Sequence, residues 1–160
     1  MAITMKVEGL AALGEQLAQL GEDAGKVASE GLYEGAGIMA NEIKSGAGGI
    51  LTETFHYTVF GTRKPSPEEK AAVIAAGVGI AKFDKNGAEV NTSVGYRNAG
   101  YTTINGKTKP IPQIVNAINS GTSFMQKQPF VRKAAVSGAK KAEAAITRTI
   151  EQKFNEIMKK

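Results

Sequence analysis

The sequence predicts an α+β fold with an N-terminal helix pair, a central antiparallel sheet with hairpins, and a long C-terminal helix packed on the sheet. Apolar residues recur with helical periodicity at both ends of the chain, whereas the middle alternates apolar and polar residues and contains two Asn-Gly pairs. Helices grouped at the ends are typical of α+β proteins rather than of alternating strand–helix units. The 160 residues suit a single domain, 1–160, with a core of its own.

The first helix of the predicted pair covers 8–20, where leucines recur at spacings of three and four: Leu10, Leu13, Leu17 and Leu20. The second covers 22–45, and its apolar side carries Ala24, Val27, Ala28, Leu32, Ala36, Met39 and Ile43. Gly31, Gly35 and Gly37 lie inside the second helix, where a glycine costs up to about 1 kcal/mol relative to alanine. Small residues on a helix face indicate that another helix packs closely against it.

The clearest predicted strand is 50–60, which is dense in threonine, aromatic and β-branched residues. A flexible loop, 61–66, follows it and carries two adjacent cations, Arg63 and Lys64. A helix start with serine, proline and glutamate at favoured positions comes next, and this helix is predicted to end by Gly77.

Two Asn-Gly pairs predict two tight hairpins, because both residue types tolerate a positive φ angle. Asn86-Gly87 is predicted to join strands near 78–84 and 88–96. Asn105-Gly106 is predicted to join 101–104 to 107–111, where two nearby prolines limit the second strand to a sheet edge.

The C-terminal part is predicted to contain a short helix, 112–119, a loop, 120–128, and a long helix, 129–157. The long helix has an apolar stripe at a spacing of four residues, surrounded by lysine and arginine. The stripe consists of Ala142, Ile146, Ile150, Phe154 and either Ile157 or Met158.

Residues suited to catalysis are few. His56 is the only histidine and lies within a predicted strand, and cysteine is absent. Asp23 and Asp84 occupy ordinary helix-start and turn positions. The glycine-rich stretch 46–49 lacks the Gly-Lys-Ser/Thr ending of a phosphate-binding loop and precedes a predicted strand. We therefore predict no catalytic residues, no metal site, no cofactor and no enzymatic activity.

The net charge of +5 is unevenly distributed. Residues 1–44 contain three lysines and seven acids, whereas 120–160 contain nine basic residues and three acids. This pattern has two interpretations: the basic end binds nucleic acid, or the acidic and basic ends face each other within one subunit or between neighbours. The N-terminus lacks a signal-peptide pattern, and no apolar run approaches membrane-spanning length, so neither secretion nor membrane insertion is expected.

The segment Gly121 to Ala134, GTSFMQKQPFVRKA, is the most informative motif. Gly121 can adopt a positive φ angle and end the preceding helix. Pro129 suits the first turn of the last helix, and Phe130 would anchor that turn in the core. The segment therefore predicts a helix–loop–helix junction.

The same segment resembles the tail-completion, or neck, proteins of long-tailed phages, the family typed on the tenth gene product of a lambdoid phage. The resemblance rests on the Gly121-Thr122 step, on Met125, and on Gln128-Pro129-Phe130 leading into the long helix. The predicted order of elements extends it over most of the chain, although family members often have an acidic residue just before the Gly-Thr step, where this chain has Asn119-Ser120.

The resemblance implies a structural virion protein of the neck or tail, made in the host cytoplasm. It implies a homo-oligomeric ring, by analogy a hexamer, that joins the tail tube protein to a head–tail adaptor or connector protein. Gly121, Thr122, Met125, Gln128, Pro129 and Phe130 would then contact a neighbouring subunit or partner. Arg63 and Lys64 would contact another virion protein or DNA in the channel, unless they simply belong to a solvated loop.

The alternative from another class is a small nucleic-acid-binding protein that uses its basic C-terminal helix. The cations that could meet phosphates are Arg132, Lys133, Lys140, Lys141, Arg148, Lys153 and Lys159. Such binding would weaken steeply with salt concentration, because each phosphate contact releases counterions.

Overall fold

The computed structural model describes residues 2–5, 23–49, 67–86, 89–97, 99–104, 107–123 and 126–159 of the chain. The helices in this part of the chain are α1 (Asp23–Gly48), α2 (Pro67–Ala76), α3 (Ile111–Ser120) and α4 (Phe130–Met158). The strands are β1 (Ala2–Met5), β2 (Gly79–Ile80), β3 (Asp84–Asn86), β4 (Glu89–Gly95), β5 (Tyr101–Ile104) and β6 (Lys107–Pro110). The α+β class is confirmed.

Helices α1 and α4 pack along each other in opposite directions and form the most extensive contact between two elements. A Cβ atom at Gly35 would lie 2.6 Å from the side chain of Ile146 and 3.3 Å from the carbonyl oxygen of Ala142. A Cβ atom at Gly31 would lie 2.7 Å from the side chain of Ile150. The two backbones therefore approach as closely as they do because these positions carry no side chain.

Strand β4 is the centre of the main sheet, with β1 on one side and the short strands β2 and β3 on the other, all antiparallel to it. Strand β1 was not predicted from the sequence; it is only four residues long and pairs Ala2 with Gly95 and Met5 with Thr92. The predicted strand near 78–84 is divided into β2 and β3, which residues 81–83 separate.

Both predicted hairpins are present, and the first has a shifted register. Asn86 pairs with Glu89, so the two residues between the strands are 87–88 rather than Asn86-Gly87. Asn86 therefore belongs to the strand, and the predicted turn was one residue out of position. In the second hairpin Ile104 pairs with Lys107, which leaves the predicted Asn105-Gly106 between β5 and β6.

The main core forms where α1 meets α2, β4, α3 and the first half of α4. Its fully buried side chains include Ile43 of α1, Val94 of β4, Tyr96 immediately after β4, and Ile118 of α3. A second apolar cluster contains Val27 and Leu32 of α1 with Ile146 and Ile150 of α4. Helix α1 belongs to both clusters and connects the sheet to α4.

The expected packing of the long C-terminal helix on the sheet is wrong for most of its length. Helix α4 lies along α1, and α1 is the helix that contacts β4 and β2. The first turn of α4 is the exception, because the ring of Phe130 meets the ring of Tyr96 with their centroids 6.3 Å apart. The physical reason is that the glycines on one side of α1 carry no side chain, so the apolar stripe of α4 packs closely against that side.

The predicted helix boundaries agree closely with the structure. The predicted helices 22–45, 112–119 and 129–157 correspond to α1, α3 and α4, and α1 continues three residues further, to Gly48. The capped helix start before Gly77 corresponds to α2. The predicted helix 8–20, strand 50–60 and loop 61–66 lie outside the described residues.

The close contact at Gly35 predicts opposite effects for two alanine substitutions in the same helix. Gly35→Ala should lower the free energy of unfolding by about 1–2 kcal/mol, because Ile146 is buried and overpacking outweighs the gain in helix propensity. Gly37→Ala should raise it by up to about 1 kcal/mol, because a Cβ there meets nothing within 4 Å. Urea denaturation of both variants measures the difference, and equal shifts would contradict the packing described.

The hydroxyl group of Tyr96 is buried and makes no hydrogen bond with any described residue. Burial raises the pKa of Tyr96 above its usual value, so the unfolded chain ionises first as pH rises through about 10. The stability that the neutral phenol contributes is thus complete below that pH and decreases above it.

Tyr96→Phe should leave stability at neutral pH unchanged or raise it by about 1 kcal/mol, because it removes an unpaired polar group. It should also reduce the loss of stability between pH 9 and pH 11. Chemical denaturation across this pH range checks both effects, with Tyr101→Phe as the exposed control. A Tyr96→Phe variant that loses as much alkaline stability as wild type would show that Tyr96 is not responsible.

Candidate interaction site at the helix junction

The junction begins where α3 ends at Gly121, which has a φ angle of 78°. Its N–H donates to the carbonyl oxygen of Ala117 at 2.8 Å and closes the last turn of the helix. A Cβ atom at Gly121 would lie 3.0 Å from the backbone nitrogen of Lys127. The position therefore requires glycine for two reasons: its backbone has a positive φ angle, and the returning chain leaves no room for a side chain. The predicted role of Gly121 as a helix terminator is confirmed.

The chain returns from Gly121 to α4 along the end of α3. The N–H of Gln128 donates to the carbonyl oxygen of Ile118 at 2.9 Å. The N–H of Val131 donates to Oδ1 of Asn119 at 3.4 Å, and Asn119 is buried. Asn119 was predicted only as the last residue of the helix 112–119, whereas its side chain links the end of α3 to the start of α4.

The entry into α4 confirms one prediction and adjusts another. Phe130 is 6% exposed and meets Tyr96 edge to face, so it anchors the helix start in the core as predicted. Pro129 precedes the first helical residue rather than occupying the first turn, with φ −79° and ψ 57°. Because Phe130 is buried, it supports the shape of the surface instead of offering a side chain to a partner.

A surface groove of about 560 Å³ lies between the junction and the end of α1. We call it the junction groove. The last two turns of α1, the segment 126–129 and the first two turns of α4 form its walls. Its lining residues are Glu42, Ser45, Gly46, Gly49, Gln126, Lys127, Gln128, Pro129, Phe130, Lys133, Ala134 and Ser137.

Glu42 is the acidic residue that lines the groove, and its carboxylate is already paired. Nζ of Lys141 donates to one carboxylate oxygen at 2.6 Å, and Oγ of Ser137 donates to the other at 3.1 Å. These hydrogen bonds, with that from Lys141 the stronger, hold the pKa of Glu42 below its usual value. Lys127 and Lys133, both exposed, therefore determine the charge of the groove, which is positive.

Six of the seven basic residues predicted to meet phosphates are exposed, and the seventh, Lys153, is half-buried. The exposed ones are Arg132, Lys133, Lys140, Lys141, Arg148 and Lys159. They differ in their partners, because Lys141 pairs with Glu42, and Lys153 further along the helix pairs with Glu30 at 3.2 Å. Some acidic residues of the N-terminal part thus form ion pairs with basic residues of the C-terminal part within one chain. The structure supports the interpretation in which the two ends face each other inside the subunit.

The structure brings together only some of the residues that the sequence analysis grouped. Gln128, Pro129 and Phe130 line the junction groove, while Thr122 is exposed on the loop after Gly121. Met125, Arg63 and Lys64 lie outside the described residues, and the roles expected for them stay predictions.

The α1 wall of the groove was not predicted from the sequence. Gly46 and Gly49 belong to the glycine-rich stretch 46–49, which was considered as a phosphate-binding loop, and Ser45 was the last residue of the predicted helix 22–45. Gly46 packs against Phe130: a Cβ atom there would lie 3.5 Å from the carbonyl oxygen of Phe130, an ordinary van der Waals contact that alanine could also make. Gly46 follows Gly35 by eleven residues, or about three helical turns, so it lies on the same side of α1 as Gly31 and Gly35. This spacing was the signal in the sequence that could have indicated the α1 wall.

Comparison of the chain with protein-family models, curated proteins and solved structures gives no match. Within the described residues, no group of three or more histidine, cysteine, aspartate or glutamate side chains is placed to hold a metal ion. None of the helices in the described ranges has the length and apolar character needed to cross a membrane.

Gly100 and Gly121, the two glycines of the described ranges that have positive φ angles, predict a graded loss of stability. Gly100→Ala should cost about 1 kcal/mol, the strain of a left-handed backbone, because a Cβ there meets nothing within 4 Å. Gly121→Ala should cost about 2–3 kcal/mol, since it adds the clash with Lys127 to the same strain. Thermal unfolding of both variants measures the two losses of stability, and a smaller loss for Gly121→Ala than for Gly100→Ala would contradict the junction geometry.

Proposed function

We propose that this chain is a non-enzymatic structural protein of a phage neck or tail, a tail-completion or terminator subunit that joins the tail tube to the head connector. The observation that carries the proposal is the junction groove. The segment that resembles the phage family forms one wall of this groove, and the end of α1 forms the other. A surface built from two packed helices and a tied-back loop suits a permanent contact between proteins.

Core packing and hydrogen bonds hold the walls of the groove in place, as a stable contact between subunits requires. Phe130 lines it with a side chain that is almost fully buried in the core, and the hydrogen bonds of Gln128 and Val131 hold the loop against the end of α3. The antiparallel α1–α4 pair fixes the two walls relative to each other. Pre-organised surfaces lose little conformational entropy on binding, so they favour stable association.

The proposed partners are further copies of the chain, the tail tube protein and the head–tail adaptor or connector protein. A ring, by analogy a hexamer, needs one surface of each subunit to meet a different surface of the next. DNA passing through the ring would make non-specific contacts. The proposed location is the virion, after synthesis in the host cytoplasm.

Assembly tests the proposal directly. The purified chain should form ring-shaped particles, alone or at the end of purified tail tubes, in negative-stain electron microscopy and light scattering. Heat-unfolded chain added to the same tubes provides the control for non-specific adsorption. A chain that stays monomeric at high concentration and adds no density to tube ends would contradict the proposed function.

A second candidate function is nucleic-acid binding by α4, which one observation favours. Arg132, Lys140 and Arg148 lie on the exposed side of α4, eight residues apart, which places them about 12 Å apart along the helix. None of the three forms an ion pair with a described residue. A gel shift at two salt concentrations tests this candidate, because affinity should fall by about 0.9 log units per phosphate contact for each log unit of salt.

A further inference from the structure

The junction groove has an unbalanced positive charge. Glu42 is neutralised by Lys141, whereas neither Lys127 nor Lys133 forms an ion pair with a residue in the described ranges. Val136 lies close to Lys133 on the same helix and is 74% exposed, so apolar surface continues beside the groove. A complementary partner therefore carries a carboxylate together with a large apolar side chain.

The same chain presents such a surface, which we call the Tyr33 patch. It consists of Glu30, Tyr33 and Glu34 of α1 and of Phe83, which lies between β2 and β3. Tyr33 is 58% exposed, and its ring lies against that of Phe83 with centroids 6.3 Å apart. Glu34 is exposed beside it and forms no ion pair with a described residue. Glu30 already forms an ion pair with Lys153, so Glu34 is the carboxylate of the patch that is available to a partner.

The Tyr33 patch cannot fill the groove of its own chain. Glu34 and Ser45 are eleven residues apart on one helix, which places them about 16 Å apart along its axis, and Ser45 is itself part of the groove wall. Pairing of the two surfaces thus requires two copies of the chain. Because the surfaces differ, each copy can bind one neighbour with its groove and another with its patch, which generates a ring or a filament.

We propose that the junction groove receives the Tyr33 patch of a second copy of this chain, with Glu34 of one copy facing Lys127 and Lys133 of the next. The proposal rests on the proposed function, since it specifies how subunits of the ring meet. It assigns the charge to Lys127 and Lys133 and the apolar contact to Tyr33 and Val136. Nucleic acid and an acidic segment of a different protein are the competing occupants.

Charge reversal on each surface tests the pairing. Lys133→Glu and Glu34→Lys should each weaken self-association by about tenfold or more, because like charges then meet across the contact. The double variant should associate within about threefold of wild type, because the pair is restored in the opposite sense. Sedimentation velocity over a concentration series measures association, and circular dichroism confirms that each exposed substitution leaves the chain folded.

Lys140→Glu is the matched control, since it makes the same charge change on an exposed position of α4 outside the groove. Association that falls equally for Lys133→Glu and Lys140→Glu, or that the double variant fails to restore, would overturn the pairing while leaving an oligomeric structural protein in place. Loss of oligonucleotide binding by Lys133→Glu with unchanged self-association would also overturn it. A wild-type chain that is monomeric both alone and with tail tubes would overturn the proposed function as well.

Discussion

The close approach of α1 and α4 is the contact on which the rest of the structure depends. Gly31 and Gly35 let Ile150 and Ile146 press against the backbone of α1, and Gly138 does the same for Met39 from the opposite helix. Three glycines in helix interiors weaken the isolated helices. The apolar surface that Ile146 and Ile150 bury offsets this loss, so the two helices are stable as a pair rather than singly.

This contact also sets the position of the junction groove. Since α4 lies along α1 in the opposite direction, the start of α4 comes beside the end of α1. Phe130 fits against Gly46, and Ser137 and Lys141 reach Glu42. The loop that precedes α4 is consequently held next to α1, and a segment that looked like a simple connection becomes one side of a binding surface.

Local patterns predicted the elements of this fold better than their arrangement. The stripe through Ile146 and Ile150 identified α4, and the glycines of α1 indicated a close helix neighbour. Nothing local showed that this neighbour was α4, because periodicity reveals an apolar face without its partner. For the same reason the sequence suggested α4 on the sheet, and four residues were too few to reveal β1. The sequence predicted the junction segment, which forms one wall of the groove. It did not indicate the other wall, because the residues of α1 that form it are distant in sequence.

We propose that the chain assembles through the junction groove rather than through the exposed side of α4. Hydrogen–deuterium exchange, compared between the dilute chain and its assembled form, distinguishes the two surfaces. Residues 126–134 should gain protection on assembly, together with the α1 segment around Tyr33. Protection confined to the region of Lys140 and Arg148, with unchanged exchange at 126–134, would contradict it.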